Sequence, residues 1–445
     1  MTNDQRPMIN DQSLISNIKS SRVALYVHVP FCRMRCAYCD FNTYAGLEEL
    51  MPDYVAAVCR EVEAAGERWG RLTVPTIYFG GGTPSLLPLD LLAELLHVSR
   101  LTFHVPDSAE ISLEANPGTV TPGYLRGLRE LGVNRLSLGV QSAHEDELRL
   151  LGRIHTWAEA VEAVGWAREA KFANLNLDLI FGLPAQTLAR WRETLEAALR
   201  LSPEHLSLYC LSVEQGTPLE NRISSGELPA PDEDLAAEMY ELAEDVLAGA
   251  GFFHYEISNW ARVNHEVRTT NHELRITNYE SRIPNHESRR WWPGPGTWNL
   301  KLEALSEHVS PFVCRHNLIY WRNEPWLGVG AGAHSWLDGQ RWSNVRHPRE
   351  YVAACGAGCQ PVLREEVEVI DHRLEMGETM MLGLRLAEGI RAGPFEARFG
   401  EALEEVFGKE LGELRELGLL EWDGSVAWLT ARGRLLGNRV FARFV

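Results

Sequence analysis

Residues 26–41 read YVHVPFCRMRCAYCDF, a short apolar run followed by three cysteines within eight residues. The spacing Cys32-x-x-x-Cys36-x-x-Cys39 supplies three thiolates from one loop, which suits three irons of a 4Fe-4S cluster and leaves the fourth iron open to a substrate. A zinc site with Asp40 as fourth ligand is the alternative, although the spacing is not that of common zinc knuckles. The stretch predicts a metal centre directly after a buried strand.

Outward from this loop, short apolar runs alternate with helix-length segments between Val23 and Ile257. This alternation predicts repeated βα units and a parallel sheet, and hence an α/β fold. Helices are expected at Pro52–Trp69 and Leu89–Val98, for example. The expected strands are Val23–Val29, Thr76–Phe79, Glu110–Glu114, Arg135–Val140, Asn174–Ile180 and His205–Leu211, with a weaker seventh at Phe252–Ile257.

Unusual residues follow the ends of successive expected strands. In such a fold the carboxyl ends of the strands converge on one mouth, where chemistry is concentrated. The residues at these ends are Cys32, Cys36 and Cys39, then Gly80-Gly81-Gly82-Thr83-Pro84, Glu114, Gln141 and Asp178. We therefore expect one site at this rim.

Composition and charge exclude several classes of protein. With 445 residues, 45% hydrophobic and 23% charged, the chain is typical of a soluble globular protein with two or three cores. Its net charge of −18 disfavours nucleic acid and anionic membranes as partners. Residues 1–22 are polar and no stretch is apolar for long enough to span a membrane, so we expect a cytoplasmic protein without a transmembrane segment.

The eight cysteines of the chain are too few and too unevenly spread to form a disulfide framework. This favours a reducing compartment. We expect Cys59, Cys210, Cys355 and Cys359 to be small buried apolar residues rather than ligands.

Past Arg262 a seven-residue repeat appears, with Asn-His-Glu or Asn-Tyr-Glu recurring from Asn264 to Glu287. His265, His272 and His286 could line one helical face and bind metal or heme, but an expanded, solvated repeat is the simpler interpretation. We interpret the repeat as an insertion. The expected domains are a flexible N-terminus at 1–22, a barrel at 23–262, the insertion at 263–312, a connection at 313–368 and a C-terminal domain at 369–445.

Two later segments complete the organisation of the chain. The Gly-rich run Leu327–Ala333 lacks the spacing of a dinucleotide fingerprint, and we interpret it as a loop with tight backbone packing. Residues 369–445 combine helices with two short strands around Asp423-Gly424, which resembles a small winged helix. Given the acidic balance, docking onto the barrel is favoured over recognition of DNA.

The run from Tyr26 to Phe41 and the GGGTP motif resemble the radical S-adenosylmethionine superfamily, and within it the branch of anaerobic coproporphyrinogen III dehydrogenases and HemW heme chaperones. The resemblance covers residues 23–445 apart from the insertion. It implies a partial (β/α)6 barrel, of the same general type as a TIM barrel, with a smaller α+β C-terminal domain. It also implies a 4Fe-4S cluster at Cys32, Cys36 and Cys39, whose open iron chelates S-adenosylmethionine.

Further site residues follow from the resemblance. Tyr26 lies beneath the cluster loop in the family, and the edge at Gly80, Gly81, Gly82 and Thr83 takes the methionine end of S-adenosylmethionine. Glu114 can accept hydrogen bonds from the ribose hydroxyls or pair with a cationic centre. Gln141, Arg153 and Asp178 match positions that contact a second S-adenosylmethionine in the coproporphyrinogen enzyme. Each of these side chains has a structural alternative. Glu114 and Asp178 could be strand-end caps, Arg153 could form a surface ion pair, and Gln141 could hydrogen-bond to a loop backbone.

Two details separate the branches. The coproporphyrinogen enzyme has another cysteine two residues beyond the third ligand, where this chain has Phe41. The HNxxYW pattern typical of HemW is present as His316, Asn317, Tyr320 and Trp321. The resemblance makes these four residues candidates for heme binding, with Cys314 as an alternative thiolate ligand. The alternative to heme binding is that the histidine and the two aromatic residues simply pack in the hydrophobic core.

We therefore expect a heme chaperone that carries heme as cargo and transfers it to apo-hemoproteins of the respiratory chain. An oxygen-independent coproporphyrinogen III dehydrogenase of porphyrin biosynthesis is the alternative, and a copy inactivated by its insertion is a third reading. Whether the chain is an enzyme thus stays open at this point. The resemblance also implies a homodimer and a membrane-associated recipient.

Overall fold

The computed structural model describes residues 22–263, 310–356 and 364–445. Most of the expected insertion, including His265, His272 and His286, lies outside the described residues, as does Cys359.

Strands of one large sheet and two small ones make up the β-structure of the described residues. They are β1 (Ala24–Val29), β2 (Phe31–Cys32), β3 (Tyr44–Ala45), β4 (Thr76–Gly81), β5 (Glu110–Ala115), β6 (Arg135–Gln141), β7 (Leu175–Phe181), β8 (His205–Cys210), β9 (Phe252–Glu256), β10 (Asn259–Arg262), β11 (Trp326–Val329), β12 (His334–Leu337), β13 (Gln340–Asn344), β14 (Arg364–Val369), β15 (Ile390–Arg391), β16 (Leu420–Trp422) and β17 (Val426–Leu429).

Helices connect most of these strands. They are α1 (Met51–Trp69), α2 (Leu89–Thr102), α3 (Pro122–Leu131), α4 (Glu145–Leu150), α5 (Trp157–Glu169), α6 (Leu188–Arg200), α7 (Pro218–Ser224), α8 (Glu233–Gly249), α9 (Arg315–Trp321), α10 (Pro348–Gly356), α11 (His372–Gly383), α12 (Ala392–Phe399), α13 (Leu403–Glu416), α14 (Ala431–Leu435) and α15 (Gly437–Phe441). No helix of the described ranges is both long and apolar enough to cross a membrane.

The large sheet contains the six expected parallel strands in sequence order, β1-β4-β5-β6-β7-β8. Each strand boundary lies within two residues of the expected one. All seven residues of β6 are buried, as a sheet covered on both faces requires. The sheet has two edges, β14 and β9, so the barrel is open. A partial (β/α)6 barrel is therefore confirmed.

Beyond β1 the sheet is extended by a segment that the sequence pattern did not reveal as strands. Strand β11 pairs in parallel with β1, and β12, β13 and β14 follow in antiparallel order. The Gly-rich run is therefore part strand, not only loop. Its tight packing is confirmed, because a Cβ on Gly328 would overlap the His334 carbonyl oxygen. Gly330, at φ +101°, would meet His28.

The C-terminal residues form a core of their own. Phe395, Phe407 and Leu411 are buried among residues 376–444, separate from the main core of the barrel and its helices. Helices α12 and α13 are followed by the hairpin β16–β17, to which β15 adds a third strand. This is the expected winged-helix-like arrangement.

The cysteines outside the cluster motif behave as expected with one exception. Cys59 and Cys355 are buried. Cys210 is exposed, because it is the last residue of β8 and lies at the open mouth next to the partly exposed Tyr209. The expectation that Cys210 is buried was wrong.

A buried carboxylate joins the sheet extension to the barrel. Glu61, in the middle of α1, accepts hydrogen bonds from Gly330 N (2.8 Å), Asn344 Nδ2 (2.7 Å) and Tyr351 Oη (2.5 Å). Burial raises the pKa of Glu61 to about 7, although these three donors oppose the rise. Since the donors come from β11–α10, this one side chain ties the late segment of the chain to its first helix.

We expect the Glu61 carboxyl to make stability fall as pH rises. Its pKa is higher in the folded than in the unfolded chain, so the stabilisation is complete below about pH 4.5 and is lost as pH rises to about 7, at up to about 1.4 kcal/mol per pH unit. Comparing melting temperatures with Glu61→Gln across this window isolates the effect. The exposed Glu63→Gln, on the same helix, is the control. A difference between wild type and Glu61→Gln that does not change with pH would contradict the expectation.

Candidate functional site

The three cysteines lie in the loop that follows β1, at the carboxyl ends of the barrel strands. All three thiols are partly exposed. The loop is anchored by backbone hydrogen bonds from Gly82 N to Val29 O (2.8 Å), from Thr83 N to Phe31 O (2.8 Å) and from Ala37 N to Leu151 O (3.0 Å). The GGGTP run and the end of α4 therefore hold the cysteine loop from two sides.

Each thiol has its own polar neighbour. Cys32 Sγ is 3.6 Å from Thr83 Oγ1, and Cys39 Sγ is 3.8 Å from Thr43 Oγ1. Cys36 Sγ accepts a hydrogen bond from Arg153 Nη1 at 3.3 Å. Hydroxyl and guanidinium donors of this kind stabilise negative charge on sulfur.

The glycines beside the loop are required by close packing. A Cβ on Gly82 would come within 2.7 Å of Phe31 O and 3.0 Å of Cys32 Sγ. Gly81 has φ +116°, a conformation that side chains disfavour, and its Cβ would meet the His28 ring. The strand edge thus lies directly against the cysteine loop.

Glu114 lies in the barrel interior next to this edge. It accepts hydrogen bonds from Tyr78 Oη (2.8 Å) and Gly81 N (3.2 Å). Burial, and then the nearby Asp178 carboxylate, raise its pKa to about 7. The ring of Tyr26 stacks on that of Tyr78 with 6.3 Å between centroids. Tyr78 therefore contacts both Glu114 and Tyr26.

Gln141 and Arg153 also come together, while Asp178 is held separately. Gln141 has φ +70°, and its buried Oε1 has no hydrogen-bond partner in the part of the chain that the structure describes. A Cβ on Gly139 would lie 3.0 Å from Gln141 Nε2 and 3.1 Å from Arg153 Nη2. Asp178 instead accepts hydrogen bonds from Ser137 Oγ (2.9 Å) and Asn176 Nδ2 (2.8 Å).

A chain of buried polar groups leads from Asp178 down through the barrel. Asn176 Oδ1 is 2.6 Å from His205 Nδ1, and His205 Nε2 is 2.9 Å from Tyr255 Oη. Tyr255 Oη in turn accepts a hydrogen bond from Cys314 N at 3.2 Å. Burial, and then the charge of Arg135, lower the pKa of His205 well below its usual value, so its ring is neutral in this chain.

The lower end of that chain is the HNxxYW helix α9. Glu110, the first residue of β5, accepts hydrogen bonds from the Arg315 and His316 backbone N–H groups at 3.1 and 3.2 Å. It thereby satisfies two of the donors that a helix N-terminus leaves unpaired. Because Glu110 begins its strand, α9 lies at the amino end of the barrel, opposite the cysteines.

Both ring nitrogens of His316 are engaged there. Nδ1 is 2.9 Å from Thr76 Oγ1 and Nε2 is 2.9 Å from Tyr320 Oη, and the residue is only 1% exposed. Burial, and then Arg135, lower the pKa of His316 to about 3. Burial raises the pKa of the Cys314 thiol to about 12, so it stays protonated at neutral pH. Neither group is open to a ligand in this conformation.

Comparisons with known proteins fit this arrangement. The heme chaperone HemW of Bacillus subtilis (strain 168) is 33% identical over 94% of this chain and 98% of its own length. The heme chaperone HemW of Mycobacterium tuberculosis (strain H37Rv) is 36% identical over 94% of this chain and 93% of its own. The chain belongs to the HemW family. The mitochondrial radical S-adenosyl methionine domain-containing protein 1 of Bos taurus is also similar, at 34% identity over 91% of this chain and 83% of its own.

The wider relationships agree with HemW membership. The Radical SAM superfamily model matches residues 26–198, and the HemN C-terminal domain model matches residues 370–436. The solved coproporphyrinogen III oxidase HemN of Escherichia coli has a TM-score of 0.75 over 98% of this chain and 92% of its own, at 22% identity. At that identity the likeness shows the fold alone.

A radical SAM protein of the HemW family carries a 4Fe-4S cluster and S-adenosylmethionine, and the residues here fit both. A solvent-open cleft runs beside the cysteine loop, lined by Cys36, Thr83, Asn116 and Arg153 among others. Within the described residues, no three His, Cys, Asp or Glu side chains converge on one ion. The three cysteines of a 4Fe-4S cluster do not need to converge on one ion, because each thiolate binds a separate iron.

Sequence reasoning missed two residues of this HemW-family site. Asn116 Nδ2 donates to Thr83 Oγ1 at 3.0 Å, and Asn116 Oδ1 accepts from Arg153 Nη2. Asn116 follows β5 directly, so the strand-end rule that selected Glu114 would also have selected it. Glu110 lies at the start of the same strand, and its role depends on α9, some two hundred residues away in sequence, which no local pattern reveals.

Proposed function

We propose that this protein is a heme chaperone, which binds heme and transfers it to apo-hemoproteins. The observation that carries the proposal is the similarity, over nearly the whole chain, to proteins named as heme chaperones. The HNxxYW helix supports it, as does Phe41 at the position where the coproporphyrinogen enzyme has a further cysteine. We also propose that the recipients of the heme are apo-hemoproteins of the respiratory chain, some of them at the membrane. The chaperone itself would be a homodimer in the cytoplasm.

The cluster belongs to the upper end of the barrel in this proposal. Cys32, Cys36 and Cys39 would bind three irons, and S-adenosylmethionine would occupy the fourth. When bound, this pair supplies adenosyl-radical chemistry after reduction. The backbone of Gly80–Gly82 would bind the methionine end, and the half-buried Glu114 carboxyl group, with a pKa raised to about 7, offers an acceptor to the ribose hydroxyls.

A second S-adenosylmethionine at Gln141, Arg153 and Asp178 is the part of the proposal that requires most rearrangement. Arg153 already donates to Cys36 Sγ and to Gly139 O (2.8 Å), and Asp178 is held by two donors. Among the described residues, Gln141 Oε1 and Arg153 Nε are the buried polar atoms of these three side chains that have no partner. A second ligand would therefore find one free acceptor and one free donor there.

Heme binding at the lower end requires α9 to open. His316 is neutral, so protons do not compete with iron for its ring, but Tyr320 must release Nε2 before iron can bind. Tyr320 and Trp321 would then offer apolar ring faces to the porphyrin, and Asn317 a polar contact. Opening would break the hydrogen bonds that hold α9 under the barrel.

Transfer of hemin from the loaded protein to apomyoglobin tests the function. We expect the Soret absorbance of myoglobin to appear, and His316→Ala to weaken hemin binding by tenfold or more, about 1.4 kcal/mol. His97→Ala, on the exposed face of α2, should bind hemin as wild type does. A wild-type affinity for hemin in a folded His316→Ala variant would remove this residue as ligand.

The enzyme alternative is decided in parallel. The reconstituted protein is given S-adenosylmethionine, a reductant and coproporphyrinogen III, and porphyrinogen products are separated by chromatography. Formation of protoporphyrinogen over many turnovers would contradict the chaperone proposal. Formation of 5′-deoxyadenosine is the control that shows the cluster to be competent.

A further inference from the structure

Two of the cysteine thiols are joined by an unbroken path of hydrogen bonds. Arg153 donates through Nη1 to Cys36 Sγ (3.3 Å) and through Nη2 to Asn116 Oδ1. Asn116 Nδ2 donates to Thr83 Oγ1 (3.0 Å), which lies 3.6 Å from Cys32 Sγ. Asn116 is therefore the central link between Cys36 and Cys32.

The direction of every bond in this path is fixed by chemistry. Arg153 carries only donors, so the Asn116 amide must turn its oxygen toward the guanidinium and its nitrogen toward Thr83. Because a thiolate that binds iron carries no proton, the Thr83 hydroxyl would donate to Cys32 Sγ when the cluster is bound. The path thus delivers one donor to each sulfur.

The Asn116 backbone is held firmly enough for this role. Thr119 N and Thr119 Oγ1 both donate to Asn116 O, at 2.9 and 2.8 Å. Thr119 Oγ1 is also 2.5 Å from Ser85 Oγ, which lies just after the GGGTP run. The third thiol stands apart, because Cys39 has Thr43 from its own loop as neighbour.

Donors to ligand sulfur and nearby positive charge stabilise the more negative, reduced form of an iron–sulfur cluster, and so raise its reduction potential. We propose that Asn116 is a positioning residue that sets the reduction potential of the cluster, by orienting Thr83 toward Cys32 and Arg153 toward Cys36. This inference rests on the proposed cluster at the three cysteines. It assigns a role to a residue that is not one of the cluster's cysteine ligands.

The test is the midpoint potential of the reconstituted cluster, followed by electron paramagnetic resonance during a redox titration without S-adenosylmethionine. We expect Asn116→Leu, which removes both links without adding charge, to shift the potential to more negative values. Thr83→Val should shift it in the same direction, and Thr83→Ser, which keeps the hydroxyl, should restore the wild-type value.

Coupling is tested by double variants. The shifts of Asn116→Leu and Thr83→Val should not add, since both break the same path, whereas Asn116→Leu and Thr43→Val should add. Full additivity of the first pair, or an unchanged potential in Asn116→Leu, would overturn the inference. If Asn116→Leu assembles no cluster, equal potentials for Thr83→Val and Thr83→Ser overturn it instead. Failure of the wild-type protein to assemble a cluster would count against the proposed cofactor. This outcome is therefore distinguishable from a failure of the inference about Asn116.

Discussion

Cys36→Ser should lose nearly all of its cluster iron. The serine hydroxyl is a harder metal ligand than a thiol and is far more weakly acidic, so one iron loses its ligand. Arg153 also loses the sulfur atom to which it donates a hydrogen bond. Changes to residues that only support metal ligands cost roughly 10–100-fold in affinity, and loss of a ligand should exceed that. Iron content and visible absorbance after anaerobic reconstitution measure the effect.

Cys210→Ser is the matched control for this prediction. Its thiol is exposed at the same mouth of the barrel but belongs to β8, outside the cysteine motif. It should retain wild-type iron content. Equal iron in Cys36→Ser and wild type would show that the three-cysteine loop does not hold the cluster.

The largest loss of stability should come from Glu110→Ala. This carboxylate is 6% exposed and accepts from the first two N–H groups of α9. Its removal leaves those donors unpaired and takes away one of the acidic groups near the buried Arg135. Removing one partner from a buried charged network costs about 3–5 kcal/mol. A fall in melting temperature, with faster amide hydrogen exchange in residues 315–321, is the expected result.

Glu110→Gln separates the hydrogen bonds from the charge. It keeps one acceptor oxygen for the helix and should therefore lose less stability than Glu110→Ala. The exposed Glu130→Ala on α3 should melt like wild type. Hydrogen exchange in α9 that is the same in Glu110→Ala as in wild type would mean that the carboxylate does not hold this helix.

The barrel was predictable from sequence because its signals are local. Each parallel strand is a short apolar run covered on both faces, and a helix of matching length follows most of them. Several of the expected site residues have a local signal of the same kind, since Cys32, Gly80 and Glu114 lie at or next to the end of a strand, whereas Asp178 lies in the middle of β7. Periodicity therefore located both the elements and the rim.

What the sequence could not provide is pairing between distant segments. Nothing local indicates that Trp326–Val329 joins β1, nor that Glu61 accepts hydrogen bonds from Gly330 and Tyr351. The HNxxYW pattern was identified, yet its place beneath the barrel follows only from contacts with Thr76 and Glu110. The hydrogen bonds that engage both ring nitrogens of His316 can be seen only in the folded chain.

The chain leaves the barrel after β10 and re-enters it at the same point, because Ser310 Oγ donates to Arg262 O at 2.7 Å. The cost of closing a loop grows only with the logarithm of its length, by about 0.6 kcal/mol for each doubling. Because Arg262 and Ser310 already meet, the number of residues between them can change without moving β10. The same junction is a natural graft point for a foreign reporter domain whose two termini lie side by side.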